Sequence, residues 1–253
     1  GDVESDLAAG NGGGVFVYHG GPDGFGEPVQ IILGTTRDED VGRGLAVGDV
    51  NGDSLVDLAI GARLADPGFN DAGAIYVHMG QPDGTFTEAP VQVLTGVRGG
   101  DQLGWAVTIC DFNGDGRLDI AGTALSYENY DEMPRRWTQG GVFIFGGYED
   151  GFLDTPDQIV LGQRLNGQGQ WVSQDGLQLG SDLASGDIDG DGRCDLVASA
   201  TRYTVNGRGN SGAVFIYKGR APDELSPGGV SMGPVKAIVG DFPLENGGAL
   251  GRR

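Results

Sequence analysis

Short apolar runs separated by glycine, proline and aspartate recur along the whole chain. Each repeating unit begins with an apolar residue and a glycine, as at Val41-Gly42, Leu103-Gly104 and Leu179-Gly180. Three further runs follow in order, of the kinds DLAIGA, GAIYVHMG and VQVLTG. Val, Ile, Phe and Tyr favour strands, while the Gly, Pro and Asp residues between the runs favour turns. The pattern predicts an all-β protein with four short strands in each unit.

The strands are apolar on both faces instead of alternating between apolar and polar residues. A sheet that is covered on both sides gives this pattern, and a propeller blade between two neighbouring blades is such a sheet. We therefore interpret the chain as a single β-propeller region of about four units. The predicted divisions are a partial blade at 1–40, blades at 41–96, 97–162 and 163–240, and the start of a further blade at 241–253.

Composition narrows the possible partners. The chain has 253 residues, of which 50 are glycine, and its formal net charge is -20. This charge argues against nucleic acid and disfavours anionic membrane surfaces as partners, because both are themselves negative. No apolar run approaches the ~18 residues that a transmembrane helix needs. Much of the negative charge is concentrated in one repeated stretch of each unit.

That stretch reads DVNGDSLVD at 49–57, DFNGDGRLD at 111–119 and DIDGDGRCD at 187–195. A degenerate copy at the start of the chain aligns Asp2 and Asp6 with positions 5 and 9 of the nine-residue stretch. Oxygen ligands at positions 1, 3, 5 and 9, with a carbonyl at position 7 and a turn-forming glycine at position 4, suit Ca²⁺. The predicted calcium ligands are Asp49, Asn51, Asp53, Leu55 and Asp57; Asp111, Asn113, Asp115, Arg117 and Asp119; and Asp187, Asp189, Asp191, Arg193 and Asp195.

Other readings of these loops are less consistent with the residues. A helix-loop-helix calcium site needs Glu at position 12, where the chain has Ile60, Gly122 and Ala198. Mg²⁺ prefers fewer protein ligands, and zinc prefers His or Cys. Ordinary Asp/Asn/Gly turns that bind nothing are the remaining alternative. Three near-identical copies favour about three structural Ca²⁺ ions over such turns.

The coupling of D-x-[ND]-G-D-x-x-x-D to the following strands resembles the FG-GAP repeat of integrin α-subunit β-propellers and related bacterial surface proteins. The FG of the family reads Val-Gly or Leu-Gly here, and its GAP reads Gly61-Ala62-Arg63 in the first intact unit. The resemblance implies an extracellular or cell-surface propeller, typically of seven blades. We expect this chain to be part of such a larger propeller, the alternative being a four-unit ring closed by its two ends.

Irregular loops on the face opposite the acidic loops are candidates for ligand binding. They gather aromatic and arginine residues, which binding surfaces enrich. The alternative is that these rings fold back and cover the rim of the propeller. Trp105, by contrast, is predicted to lie in the blade core. The candidate ligand-binding residues are Tyr127, Tyr130, Arg135, Arg136, Trp137, Trp171 and Tyr203.

Three classes of function remain compatible with the sequence. The first is a recognition or adhesion module for a protein or glycan ligand. The second is a structural or assembly subunit that contacts further blades or a partner chain. The third, less favoured, is the propeller part of a secreted hydrolase or lyase, because no catalytic constellation is found. The two cysteines, Cys110 and Cys194, lie at different positions of the repeat, so free or buried thiols are preferred over a disulfide.

Overall fold

The structure is a computed structural model, and it describes residues 12–128, 139–165, 168, 170–173, 176–204, 211–222, 229–231 and 233–239. All regular secondary structure in these ranges is β-strand. No helix capable of crossing a bilayer occurs in them. The predicted all-β class is confirmed.

Three four-stranded antiparallel sheets share one strand order and form the blades. The first blade contains β5 (Val41–Gly48), β6 (Asp57–Ala62), β7 (Ala74–His78) and β8 (Gln92–Thr95). The middle blade contains β9 (Leu103–Cys110), β10 (Asp119–Ala124), β11 (Gly141–Phe145) and β12 (Gln158–Leu161). The last blade contains β15 (Leu179–Gly186), β16 (Asp195–Ala200), β17 (Ala213–Tyr217) and β20 (Lys236–Val239).

Smaller sheets complete the described part of the chain. Part of a preceding blade is seen as the pair β1 (Gly14–Val17) and β4 (Gln30–Leu33). Three short hairpins branch from the blades: β2 (Gly20–Gly21) with β3 (Gly24–Phe25), β13 (Gln163–Leu165) with β14 (Trp171–Ser173), and β18 (Gly219–Arg220) with β19 (Gly229–Val230). Four-stranded blades in a β-propeller are thereby confirmed, and the larger seven-bladed propeller stays a prediction.

The hydrophobic core lies between the blades and not within any one of them. The first strands of neighbouring blades run side by side, β5 beside β9 and β9 beside β15. On β11, Val142 and Ile144 join the cluster shared with the last blade, while Phe143 and Phe145 join the cluster shared with the first blade. Successive side chains of a strand point to opposite faces, so an apolar strand can serve two interfaces at once. This explains the apolar runs that do not alternate.

A glutamine at the start of each of the outer strands β4, β8 and β12 joins its blade to the next. The Gln30 amide accepts from the backbone N–H of Phe86 at 2.7 Å and donates to the carbonyl of the same residue at 2.8 Å. Gln92 makes the same pair of bonds with Phe152, and Gln158 makes it with Val230. Each glutamine side chain thus makes the pair of hydrogen bonds to one residue that a backbone amide would make in a β-bridge between blades. The glutamines were visible in VQIILG, VQVLTG and DQIVLG, but their partners are distant in sequence.

Candidate calcium loops and opposite face

The acidic stretches form the turns between the first and second strands of the three blades. In the first blade, Asp49 at position 1 accepts backbone N–H bonds from Gly52 at 2.7 Å and Ser54 at 2.8 Å, one on each carboxylate oxygen. Asp111 and Asp187 make the equivalent two bonds in their loops. The position-1 carboxylate therefore folds the loop around itself, as local Asp-to-backbone bonds commonly do.

Position 4 of each loop requires glycine for a conformational reason. Gly52, Gly114 and Gly190 have φ values of 77°, 77° and 78°. Residues with a Cβ rarely adopt this left-handed region. The sequence prediction that this glycine permits the sharp turn agrees with the backbone found there.

Positions 5 and 7 are held next to each other by a second repeated bond. The backbone N–H of Leu55 donates to Asp53 at 2.8 Å. In the second loop the backbone N–H of Arg117 donates to Asp115 at 2.9 Å, and in the third loop that of Arg193 donates to Asp191 at 3.0 Å. These bonds leave the carboxylate with further lone pairs for a cation, since an ionised carboxylate accepts at about four sites.

Position 9 has a structural role that the sequence did not reveal. Asp57 is fully buried and accepts N–H bonds from Val50 and Gly80, both at 2.8 Å. Asp119 binds Phe112 and Gly147 in the same way, and Asp195 binds Ile188 and Gly219. The position-9 carboxylate therefore ties its loop to the end of the third strand of the same blade.

The glycine at the end of each third strand permits this tie. A Cβ at Gly80 would lie 2.3 Å from the carbonyl oxygen of Val56, and one at Gly147 would lie 2.4 Å from that of Leu118. Such approaches to backbone atoms are forbidden, so only glycine fits. The signal was present in the sequence as the last glycine of YVHMG, FIFGG and FIYKG.

Burial makes the position-9 carboxylates of the first two loops electrostatically costly without a cation. It raises the pKa of Asp119 to about 6, against the opposing effect of the N–H bonds from Gly147 and Phe112. Burial likewise raises the pKa of Asp57, and the charges of Asp53 and Asp49 add to the shift. A nearby cation favours the ionised form of such a group. The loops are therefore suited to a bound positive charge.

Three carboxylates of the third loop lie close together. Oxygens of Asp187, Asp189 and Asp191 all lie within 4.8 Å of one another, and all three residues are exposed. Asp195 does not belong to this group and is buried. An all-oxygen donor set of this kind fits a hard cation such as Ca²⁺ better than zinc.

The cysteine prediction was wrong. Cys110 and Cys194 form a disulfide with a Cα–Cα distance of 5.9 Å. Cys110 ends β9 and Cys194 immediately precedes β16, so the bridge connects the middle blade to the last blade. Their different positions in the repeat seemed to argue against pairing. Neighbouring blades are staggered at this end, however, as the bond from the Cys194 N–H to the Asp111 carbonyl at 2.8 Å shows.

Two of the predicted ligand-binding residues are buried in the structure. Tyr127 is 6% exposed and packs edge-on against Phe143, and Tyr203 is 8% exposed and packs edge-on against Phe215. Both rings extend the cores between the blades and are removed from the predicted ligand surface. For these two residues the structure agrees with the alternative interpretation, in which the loop rings fold back onto the propeller.

The other predicted ligand-binding residues are less fully described. Tyr130, Arg135, Arg136 and Trp137 lie outside the described residues. The backbone of Trp171 forms part of β14 and pairs with Leu165. The degenerate acidic stretch with Asp2 and Asp6 also lies outside the described ranges.

Trp105 does not lie in the core, contrary to expectation. It is partly exposed, and the guanidinium of Arg43 stands 4.0 Å from the centre of its ring. Its indole N–H donates to the carbonyl of Ser181 at 3.2 Å. Trp105 therefore joins residues of all three blades at the inner strands, where an arginine on an aromatic face contributes a cation–π contact.

Comparisons with known proteins agree with this architecture. The FG-GAP repeat model matches residues 41–78 and 179–217, and the FG-GAP-like repeat model matches residues 64–122. The chain is 31% identical over 185 residues to integrin alpha-IIb of Mus musculus, covering 70% of the chain and 16% of the relative. It is 33% identical over 196 residues to integrin alpha-PS2 of Drosophila melanogaster, covering 75% of the chain and 13% of the relative.

A relative of another kind is the phosphatidylinositol-glycan-specific phospholipase D of Mus musculus. It is 28% identical over 174 residues, which cover 67% of the chain and 19% of the relative. The chain thus spans less than a fifth of the length of each of these three relatives. Repeat matches, integrin alpha relatives and four-stranded blades with acidic first turns together assign the chain to the FG-GAP repeat, integrin alpha-like family.

Proposed function

We propose that the chain is a calcium-binding, extracellular propeller region that acts in recognition or adhesion. The observation that carries the calcium part is the threefold repetition of one loop geometry. Asp49, Asp111 and Asp187 each accept the same pair of backbone N–H bonds, and a buried aspartate at position 9 ties each loop to the third strand of its blade. About three structural Ca²⁺ ions would offset the repulsion between the carboxylates and join the strands of each blade.

Calorimetric titration of the chelator-treated full chain with CaCl₂ tests this proposal. We expect about three sites, and substitution of Asp115 with alanine should remove one of them. Asp83→Ala is the matched control, because Asp83 is an exposed turn residue whose carboxylate contacts Thr85 and lies outside the acidic loops. Absence of any calcium binding, or a clear preference for Zn²⁺, would refute the calcium part.

Two observations support an extracellular location. The Cys110–Cys194 disulfide is of the kind that persists in oxidising compartments. The integrin alpha relatives support the same location, and they also support an adhesion role. The expected ligand is a protein or glycan that meets the face opposite the calcium loops.

The proposed ligand surface rests on Trp137 and Trp171, together with Tyr130, Arg135 and Arg136. Alanine variants of Trp137 and Trp171 should weaken binding to glycan arrays or cell-surface proteins without changing calcium stoichiometry or melting temperature. Tyr203→Ala serves as the contrast, since its buried ring should affect stability. Loss of stability in all three variants, with no separate binding defect, would place the ligand site elsewhere.

A second candidate is a propeller region attached to an enzyme. The similarity to a phospholipase D favours it. In that case the catalytic residues would lie in a different part of the full-length protein, and the chain alone should bind calcium but turn over no phospholipid or glycan substrate. A structural or assembly role is the third candidate, and it predicts a partner chain that protects the opposite face from proteolysis.

A further inference from the structure

The third acidic loop differs from the other two in the charge of its four side-chain ligands. Position 3 is Asn51 in the first loop and Asn113 in the second, but Asp189 in the third. The third loop therefore has carboxylates at all four of its side-chain ligand positions, where the others have three carboxylates and one amide. With backbone geometry so closely repeated, this extra negative charge would by itself make the third loop the strongest cation site.

A lysine beside the third loop offsets this extra charge. The Lys218 ammonium forms an ion pair with the Asp189 carboxylate and lies 3.6 Å from a carboxylate oxygen of Asp191. The structurally equivalent residues are Met79 in the first blade and Gly146 in the middle blade, and neither carries a charge. Lysine is rare in this chain, whose sequence contains only Lys218 and Lys236.

The backbone holds Lys218 at this place. Its N–H donates to the hydroxyl of Ser231 at 3.2 Å, just as the N–H of Met79 donates to that of Thr87 at 3.2 Å. The next residue, Gly219, donates its N–H to the buried Asp195 of the same loop at 3.0 Å. The backbone of Lys218 is therefore fixed next to the third loop, although the lysine side chain is partly exposed.

The arginine at position 7 distinguishes the third loop only from the first, which has Leu55 there. The Arg193 guanidinium donates to Asp191 at 2.6 Å, but the second loop also has an arginine, Arg117, at position 7. Lys218 and Asp189 are the two charged residues that distinguish the third loop from both of the others. Each changes the local charge by one unit in the opposite direction.

We propose that Lys218 and Asp189 form a compensating pair that sets the cation affinity of the third loop. The proposal rests on the proposed calcium function. The Lys218 ammonium competes with Ca²⁺ for the Asp189 carboxylate and repels the ion once it is bound, while Asp189 supplies the extra charge that keeps the loop competent. With the charge of Lys218 counted, the four side-chain ligands of the third loop carry the same net charge as those of each of the other two loops.

The test isolates the third loop in the full chain. Asp53→Ala and Asp115→Ala disable the first two loops, and CaCl₂ is titrated calorimetrically into this background. Lys218→Met should tighten binding roughly three- to tenfold, and Asp189→Asn should weaken it by a similar factor, given the energy of a partly screened charge pair. The double variant should return to within about twofold of the background.

Three controls separate the effect of the local pair from effects of net charge and of misfolding. Lys236→Met makes the same chemical change on β20 and should leave the affinity unaltered. Met79→Lys, in a background where the second and third loops are disabled, should weaken the first loop. Melting curves in chelator verify that every variant folds, and the Lys218→Met effect should shrink at high salt because the pair is partly exposed.

The outcomes distinguish this inference from the calcium proposal. If none of the loops binds calcium in the unaltered chain, the proposed function fails. If the first two loops bind calcium but Lys218→Met leaves the third loop unchanged, or weakens it, the compensating pair is wrong and the calcium proposal stands. An equal gain from Lys236→Met would also overturn the pair, since net charge would then explain the effect.

Discussion

The middle and last blades have nearly the same sequence pattern but different burial. Ile144 on β11 is 2% exposed, whereas the equivalent Ile216 on β17 is only partly buried. The middle blade packs between the first and last blades, and the last blade packs against the middle one. On β17, Phe215 and Tyr217 point into the shared core, while Val214 and Ile216 lie on the other face. The same strand type is thus buried on one or two faces according to its neighbours.

The largest expected effect tests this difference directly. Ile144→Ala removes a side chain packed between two blades and should lower the free energy of unfolding by roughly 2–5 kcal/mol. The matched Ile216→Ala should cost about 1 kcal/mol or less, because a partly exposed side chain loses less burial. Urea unfolding of both variants provides the measurement. Equal losses would mean that the outer face of the last blade is covered in the folded protein.

A somewhat smaller effect is expected from breaking the covalent link between the two blades. Reduction of the Cys110–Cys194 disulfide should lower the free energy of unfolding by about 2–4 kcal/mol, because the bridge closes a long segment of chain. The double variant Cys110→Ser, Cys194→Ser should match the reduced protein. Melting curves with and without reductant test this, and the double variant should not respond to reductant. No difference between oxidised and reduced protein would show that the packing between the blades is sufficient alone.

The smallest effect concerns pH and the buried carboxylate of the middle blade. Burial raises the pKa of Asp119 from its ordinary value of 3.8 to about 6. The folded chain then retains a proton that the unfolded chain has lost, so stability in chelator should fall as the pH rises from about 4 to about 6. The expected loss is about 2 kcal/mol, and bound calcium should diminish it.

Two variants sharpen this pH test. Asp119→Asn should flatten melting temperature against pH in chelator. The remaining slope would come from Asp101, whose pKa burial also raises to about 6, and from Asp57, whose pKa burial raises as well. Asp83→Asn should leave the slope above pH 4 unchanged, because the hydrogen bond from the Thr85 hydroxyl lowers the pKa of Asp83. A chelated protein whose stability rises with pH between 4 and 6 would contradict the assignment of the buried charge.

Much of the fold could be predicted because its signals are local and repeated. The glycine-led runs became β7, β11 and β17, and the acidic stretches became the turns before β6, β10 and β16. Turn glycines such as Gly52 can be predicted from the sequence, because few residues other than glycine adopt a left-handed backbone conformation. The position-9 tie was missed, since Asp57 and Gly80 are 23 residues apart and neither signals the other.

The predictions that the structure corrected depend on contacts between blades. Tyr127 and Tyr203 were assigned to a surface because they lie in polar loops, yet each ring reaches a core formed by two blades. Cys110 and Cys194 occupy different positions of the repeat, and only the stagger of adjacent blades brings them together. The glutamine bridges and the Arg43–Trp105 contact also join residues of different blades.

The sequence alone determined the strand type, the number of strands in a blade, the turn chemistry and the oxygen-rich composition of the acidic loops. These properties follow from residue preferences over a few neighbouring positions, and repetition makes them readable. Tertiary structure alone decided which strand faces are buried, whether Cys110 and Cys194 form a disulfide, and whether Lys218 contacts Asp189. These properties depend on side chains brought together from 29 to 84 positions apart, because blades bury their apolar faces only against each other.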